Sequence, residues 1–241
     1  TRTVNVVDTT GPTFTSSASF SAAEDQTSIG TVTATDAGTT AISFSISGTE
    51  ISIGASTGVL AFTSAASAVD FETKSSYSAT VTASDGANTS TQDITVTLTD
   101  VNESPAILTD SFSVAEDQTA VGTVNASDPE DDTLTYSVAG SDFTIGASTG
   151  VMAFTGAASA VDFETKSSYT ADVTVSDGTN SVTKTITVTL TDVNESPAII
   201  TDSFTVAEDQ TAVGTVNVTD PEGGTLTYSV AGSDFTIGAS S

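Results

Sequence analysis

An internal repeat constrains this chain more than any other feature of its sequence. The segment 104–148 returns almost unchanged at 196–240, and the same offset of 92 residues separates Glu24 from Glu116 and Glu116 from Glu208. Tandem copies of a unit this long build linear arrays, in which each unit packs within itself and against its neighbours in the chain. The sequence therefore predicts an array of one domain type.

The repeat divides the 241 residues into four pieces. Residues 1–11 match the final strand of a preceding repeat, 12–103 and 104–195 are complete repeats, and 196–241 is the first half of a third repeat. A sandwich with half of its strands has open sheet edges and an unclosed core. We therefore expect the natural molecule to be longer, or the half repeat to be completed by another chain.

Within each repeat, apolar and polar residues alternate with a period of two, which is typical of half-buried β-strands. Ile94, Val96 and Leu98 are predicted to face a core, while the threonines between them face solvent. Seven such short strands in one repeat predict an all-β fold of tandem seven-stranded, Ig-like Greek-key sandwiches. The strands predicted for the second complete repeat are 107–115, 120–127, 133–138, 143–145, 151–154, 168–176 and 181–191.

The charge is strongly one-sided. The chain has 31 acidic residues and four basic ones, for a formal net charge of −27, which argues against nucleic acid or an anionic membrane as a partner. A hydrophobic content of 37% predicts a folded chain instead of an acidic disordered tail. No apolar run approaches the roughly 20 residues of a membrane span, so direct membrane insertion is not expected.

The chain has no cysteine, very few lysines and many Thr and Ser residues. This composition is typical of an extracellular or cell-surface bacterial protein that is stabilised by something other than disulfides. Bound metal is the obvious substitute.

The acids fall in short motifs at predicted strand ends. In the second repeat these are VAED, SDPED, VDFE, SDG and the linker DVNESP, and in this order they resemble the calcium-binding signatures of cadherin repeats. The resemblance spans the whole 92-residue period and implies calcium sites where consecutive repeats meet. The ligands implied at the first junction are Glu24, Asp70, Glu72, Asn102, Glu103, Asp128, Glu130 and Asp177. The ligands implied at the second junction are Glu116, Asp162, Glu164, Asn194, Glu195, Asp220 and Glu222. Asp100 and Asp192 belong to the linker motif and are expected to shape the linker.

Calcium suits such motifs because it takes six to eight hard oxygen ligands in flexible geometry, whereas magnesium requires a rigid octahedron. Carboxylates gathered without a cation repel one another. We therefore expect a flexible hinge without calcium and a stiff joint with one to three ions per junction. Glu103 and Glu130 replace the aspartates usual in the family, and their longer side chains are expected to reduce the number of ions.

The bland alternative is that these acids only form turns and solvate the surface. One comparison within the chain counts against it. Before the first complete repeat, Thr10 and Gly11 stand where Asn102 and Glu103 stand later, and Gly38 replaces the counterpart of Glu130. Two motifs distant in sequence have thus changed together, as the loss of a shared site predicts, although Asp36 and Asp85 remain.

The sequence predicts that the chain is not an enzyme. It has no His and no Cys, which excludes the usual triads, zinc sites and thiol chemistry. A glycosidase with a carboxylate pair is formally possible, but the paired acids lie in the calcium motifs. Most aromatic residues recur at inward strand positions, which indicates a core and not a sugar-stacking platform.

The preferred interpretation is a calcium-rigidified rod, a spacer or fibre whose partners are neighbouring repeats of the same chain or identical chains. One alternative is an adhesion module that binds a cell-surface glycan or protein. Another is a subunit of a polymerising extracellular filament, in which a neighbouring chain completes the half repeat.

Overall fold

The structure is a computed structural model that describes residues 7–37, 41–64, 69–157 and 160–239. The chain divides into two compact units, Thr1–Glu103 and Ser104–Ser241. Residues 1–6 of the predicted leading strand lie outside the described residues, and residues 7–11 are not in a strand. Within the described ranges, no helix has the length and apolar character needed to span a membrane.

The first unit is a sandwich of a four-stranded sheet, in the order β2-β9-β8-β5, and a three-stranded sheet, in the order β3-β7-β6. A short antiparallel pair, β1-β4, accompanies them. The strands are β1 Thr13–Phe14, β2 Ser19–Ala23, β3 Ser28–Thr31, β4 Ala34–Thr35, β5 Ser43–Ile46, β6 Ile51–Ile53, β7 Val59–Phe62, β8 Ser76–Ser84 and β9 Thr89–Thr99.

The second unit repeats this architecture with sheets β11-β18-β17-β14 and β12-β16-β15 and the pair β10-β13. It ends with a further short pair, β19-β20. The strands are β10 Ala106–Ile107, β11 Ser111–Ala115, β12 Ala120–Thr123, β13 Ala126–Ser127, β14 Thr135–Val138, β15 Phe143–Ile145, β16 Val151–Phe154, β17 Ser168–Ser176, β18 Ser181–Thr191, β19 Ala198–Ile199 and β20 Val218–Thr219.

The predicted alternation of buried apolar and exposed polar residues is confirmed along the longest strands. Ile94, Val96 and Leu98 on β9 are buried and the threonines between them are exposed. Ile186, Val188 and Leu190 on β18 are likewise buried. Each unit therefore has its own apolar core between its two main sheets.

The first two predicted strands of the second repeat differ from the structure, since each is split. β10 pairs antiparallel with β13, whereas β11 pairs parallel with β18 in another sheet. Between them Leu108 donates its N–H to the Asn125 carbonyl at 2.9 Å, and Thr109 Oγ1 accepts the Asn125 N–H at 2.9 Å. The chain changes sheets at this point, which an unbroken apolar pattern does not reveal.

Matching aromatic residues of the repeat differ in exposure. Phe143 is 4% exposed and belongs to the core of the second unit, while its counterpart Phe235 is 59% exposed.

Two glycines in turns of the first unit differ in how much room they leave for a larger side chain. Gly58 and Gly48 both have left-handed backbone, with φ of 67° and 84°. A Cβ on Gly58 would overlap the Val32 carbonyl oxygen, whereas a Cβ on Gly48 would meet open space. We expect Gly48→Ala to lower the free energy of unfolding by about 1 kcal/mol and Gly58→Ala by about 3 kcal/mol, measured by urea unfolding of the chain. Equal losses would show that the overlap is relieved at little cost.

Candidate metal centre

A buried glutamate organises one end of each complete repeat. Glu116 follows β11 and is 2% exposed. Its Oε2 accepts the Phe163 N–H at 2.7 Å and its Oε1 accepts the Val193 N–H at 2.6 Å. One carboxylate thus joins the end of β11, the loop before β17 and the linker after β18. Backbone donors satisfy a buried charge that would otherwise be costly.

The first unit has the same arrangement. Glu24 is 2% exposed and accepts the Phe71 N–H and the Val101 N–H, both at 2.7 Å. The clamp formed by this glutamate and its two N–H donors is therefore a property of the repeat.

The loop held by Glu116 contributes two further acids. Asp162 Oδ1 accepts the Thr165 N–H at 2.8 Å, and the Asp162 carbonyl accepts the Lys166 N–H at 2.9 Å, so this aspartate starts a tight turn. Glu116, Asp162 and Glu164 each bring one carboxylate oxygen within 4.8 Å of the others. Glu24, Asp70 and Glu72 do the same in the first unit.

A second acidic group in the second unit extends from the loop to the linker and the half repeat. It consists of Glu164, Glu195 and Glu222, again with one oxygen each within 4.8 Å of the others. The Glu195 N–H donates to Glu222 Oε1 at 2.8 Å, and Asn194 Nδ2 donates to the Glu195 carbonyl at 2.8 Å. Among the described residues, Oε2 of Glu195 and Oε2 of Glu222 are buried and have no hydrogen-bond partner.

The crowding of these carboxylates shifts their pKa values. A side-chain hydrogen bond with Glu222, together with burial and the nearby charge of Glu116, raises the pKa of Glu195 to about 7. The same contact lowers the pKa of Glu222. Burial, and then the charge of Glu116, raises the pKa of Glu164. The raised pKa values of Glu195 and Glu164 show that their surroundings disfavour the charged carboxylate, which a bound cation would favour.

Other predicted ligands occupy several environments. In the second unit, Asp192 is exposed and Asp220 half-buried, while Asp128 is 9% exposed. Both oxygens of Glu130 are buried without a partner among the described residues, and Asp177 Oδ1 accepts the Thr179 and Asn180 N–H groups at 2.6 Å.

The linker of the first unit contains three of the predicted residues. Asp100 is exposed, and Asn102 and Glu103 are half-buried. Asn102 Nδ2 donates to the Glu103 carbonyl at 2.6 Å, as Asn194 does to Glu195 in the second unit.

The comparison of repeats within the sequence did not predict one group of acidic residues. Asp8, Asp36 and Asp85 each bring an oxygen within 4.8 Å of the others, although this end of the first repeat lacks the linker Asn and Glu. The N–H groups of Asn88 and Ala87 lower the pKa of Asp85. The offset of 92 residues, which aligns Asp8 with Asp100, is the signal that could have found it. Gly38, which also carried the argument for a lost site, lies outside the described residues.

The donor set fits a hard divalent cation. The second unit offers carboxylate and carbonyl oxygens, and two carboxylate oxygens are buried without a donor facing them. Oxygen-only ligation of this kind suits calcium and not zinc, which prefers the nitrogen and sulfur ligands that this chain lacks.

Comparisons with known proteins bear on the fold. The bacterial Ig domain family matches residues 102–191. The structure is similar to EC22-24 of mouse cadherin-23, at 20% identity over 88% of this chain and 78% of that one, with a TM-score of 0.57. It is also similar to EC1-2 of human protocadherin-24, at 18% identity over 76% of this chain and 99% of that one, with a TM-score of 0.57.

A third likeness is to the protocadherin gammaB4 extracellular domain, at 23% identity over 90% of this chain and 39% of that one, with a TM-score of 0.59. The chain carries tandem repeats with a cadherin-like fold. Among curated proteins, none matches the sequence significantly. The predicted all-β fold of cadherin-like sandwiches is confirmed.

The clamp of the cadherin-like repeat can be tested with Glu116→Gln. A glutamine has one acceptor oxygen, so its amide nitrogen would oppose one of the two backbone N–H groups and leave a buried donor unpaired. We expect a loss of about 1–3 kcal/mol in unfolding free energy. Amide hydrogen exchange at Phe163 and Val193 should rise at least about tenfold.

Glu208→Gln is the matched control, because Glu208 is the exposed counterpart of Glu116 in the half repeat. It should leave both quantities unchanged. Unaltered exchange at Phe163 and Val193 in Glu116→Gln would mean that the carboxylate does not hold these segments.

Proposed function

We propose that these cadherin-like repeats form a calcium-rigidified spacer within a large extracellular bacterial protein. The observation that carries this proposal is the Glu164–Glu195–Glu222 group, which places two unpartnered buried carboxylate oxygens where three chain segments meet. A net charge of −27 makes such a gathering unfavourable unless a cation neutralises it.

Calcium is the cation that this donor set suits best. It accepts six to eight oxygen ligands, and glutamate side chains and linker carbonyls can adapt to its flexible geometry. In the second unit we assign its ligands from the complete repeat, the linker and the half repeat. They are Glu116, Asp162, Glu164, Asn194, Glu195, Asp220 and Glu222. The corresponding acids of the first repeat, Glu24, Asp70 and Glu72, would act in the same way.

The mechanical effect follows from where the ligands lie in the chain. Glu164 belongs to the loop before β17, Glu195 to the linker, and Glu222 to the turn after β20. An ion bound to all three would tie the linker to the segments before and after it. Removing the ion would restore repulsion between the carboxylates and loosen the linker.

A spacer fits the repetition and the placement of the aromatic residues. Near-identical copies lengthen an array, whereas a specific binding site does not need to be repeated. Phe62, Tyr77, Phe143 and Phe154 are at most 7% exposed, which leaves these rings unavailable for stacking on sugars. A structural role without catalysis, with neighbouring repeats as the main partners, is therefore the function that we assign.

Calcium should stabilise the chain. At about 100 times its Kd, a ligand that binds only the folded state adds about 2.7 kcal/mol to the free energy of unfolding, so Tm should rise on moving from EDTA to calcium. Magnesium at the same concentration should raise Tm less. Calorimetry of the whole chain would measure both shifts.

Charge-removing variants locate the site. Glu195→Gln combined with Glu222→Gln should abolish most of the calcium-dependent shift, while Asp142→Asn, which removes an exposed carboxylate that pairs with Lys166, should retain it. A Tm that is the same in EDTA and in calcium would refute the proposal.

Stiffening is a separate prediction. Small-angle scattering should give a larger and narrower distribution of maximum dimension with calcium than with EDTA, because the linker loses conformations when it is ligated. A rise in Tm without any change in scattering would mean that calcium stabilises the repeats but does not stiffen the array.

A further inference from the structure

The turn between β13 and β14 contains a peptide bond with unusual surroundings, Asp128–Pro129. The carbonyl oxygen of Asp128, which belongs to that bond, accepts the Asp131 N–H at 3.3 Å. Asp131 closes the turn in left-handed conformation, with φ of 59°. The carbonyl carbon next to proline is therefore polarised by a fixed backbone donor.

The carboxylate of the same residue is held beside this bond. Asp128 is 9% exposed, and its Oδ1 accepts the Asp132 N–H at 3.3 Å. Among the described residues, its Oδ2 is buried with no hydrogen-bond partner. A buried, desolvated carboxylate oxygen without a donor is a better nucleophile than one that is hydrogen-bonded to water.

We propose that Asp128–Pro129 is a self-cleaving peptide bond. Asp128 Oδ2 attacks the Asp128 backbone carbonyl carbon and closes a five-membered ring. The C–N bond to Pro129 then breaks, and the proline nitrogen takes up a proton from solvent. The resulting cyclic anhydride adds one water and gives an Asp128 with two free carboxyl groups. The net reaction is hydrolysis of one peptide bond, and it needs no oxidant, reductant or cofactor.

Proline favours this route over the usual reaction of aspartate. Aspartyl bonds commonly form cyclic imides when the following backbone nitrogen, as N–H, attacks the side chain. Proline has no N–H, so that route is closed at Asp128–Pro129. The carboxylate attack is then the intramolecular path that remains, and the turn keeps the two reacting groups together.

Calcium would control the cleavage, a part of the inference that rests on the proposed function and extends its ligands to Asp128, which the cadherin resemblance implies. A cation on Oδ2 would occupy the attacking lone pair. The bond is then stable while calcium is bound and cleaves when calcium is withdrawn. Loss of calcium would thus cut the array within the second repeat.

The chain offers an internal comparison. Asp220–Pro221 occupies the same place in the half repeat, and the Asp220 carbonyl accepts the Gly223 N–H at 3.1 Å. Asp220 is half-buried and so more exposed to water than Asp128. In the first repeat the corresponding bond is Asp36–Ala37, which has no proline. Cleavage should therefore be fastest at Asp128–Pro129, slower at Asp220–Pro221 and absent at Asp36–Ala37.

The test is a time course of the whole chain at one fixed pH, in EDTA and in calcium, followed by intact mass spectrometry. In EDTA we expect fragments 1–128 and 129–241 to accumulate. Calcium at about 100 times its Kd should slow their appearance about a hundredfold, in proportion to the ion-free fraction. Pro129→Ala, a change at an exposed position, and Asp128→Ala should each abolish both fragments.

The outcomes separate the two proposals. Absence of the fragments in EDTA would overturn self-cleavage, even if calcium raises Tm and the spacer proposal stands. Equal rates at Asp128–Pro129 and Asp220–Pro221 would overturn the role given to burial. Fragments that form equally fast with and without calcium would overturn calcium control, and an unchanged Tm in the same samples would then refute the calcium site itself.

Discussion

The buried glutamate clamp is the interaction on which the rest of the candidate site depends. Glu116 and Glu24 place a full charge in the interior, and each is balanced by two short hydrogen bonds from backbone N–H groups. Those donors belong to the loop and the linker that contain the other candidate ligands. The clamp therefore fixes where Asp162 and Glu164 lie without an ion, and this preorganisation would reduce the entropy cost of binding one.

The lysines of the described residues pair with acids that are not members of the candidate metal groups. Lys74, Lys166 and Lys184 pair with Glu50, Asp142 and Asp110. Two of them also lie over tyrosine rings, Lys74 over Tyr77 and Lys166 over Tyr169, at 4.2 and 3.9 Å from the ring centroids. Because the described lysines are engaged with other acids, a shared proton or an external cation would balance the Glu164–Glu195–Glu222 group. This charge imbalance is the physical basis for proposing that the group binds metal.

The sequence predicted the repeat, the strand alternation and the acidic loop motifs, because each is written in local spacing. Ile94 and Val96 face the core because they alternate with threonines along an extended strand, and this alternation can be read directly from the sequence. The sequence did not predict the backbone donors at Phe163 and Val193, since a main-chain N–H has no residue-type signal. It also missed the change of sheet at Leu108 and the grouping of Asp8 with Asp36 and Asp85, which arise from pairing between distant segments.

Residues with nearly identical local sequence but different surroundings show how strongly pairing between distant segments decides which side chains are buried. Glu116 finds its donors 47 and 77 residues further along the chain. Glu208 has the same local sequence but is exposed, and Phe235 is 59% exposed where its counterpart Phe143 is buried. Local sequence therefore specifies which residues can form the core and the clamp, and contacts with distant segments of the chain decide whether they do.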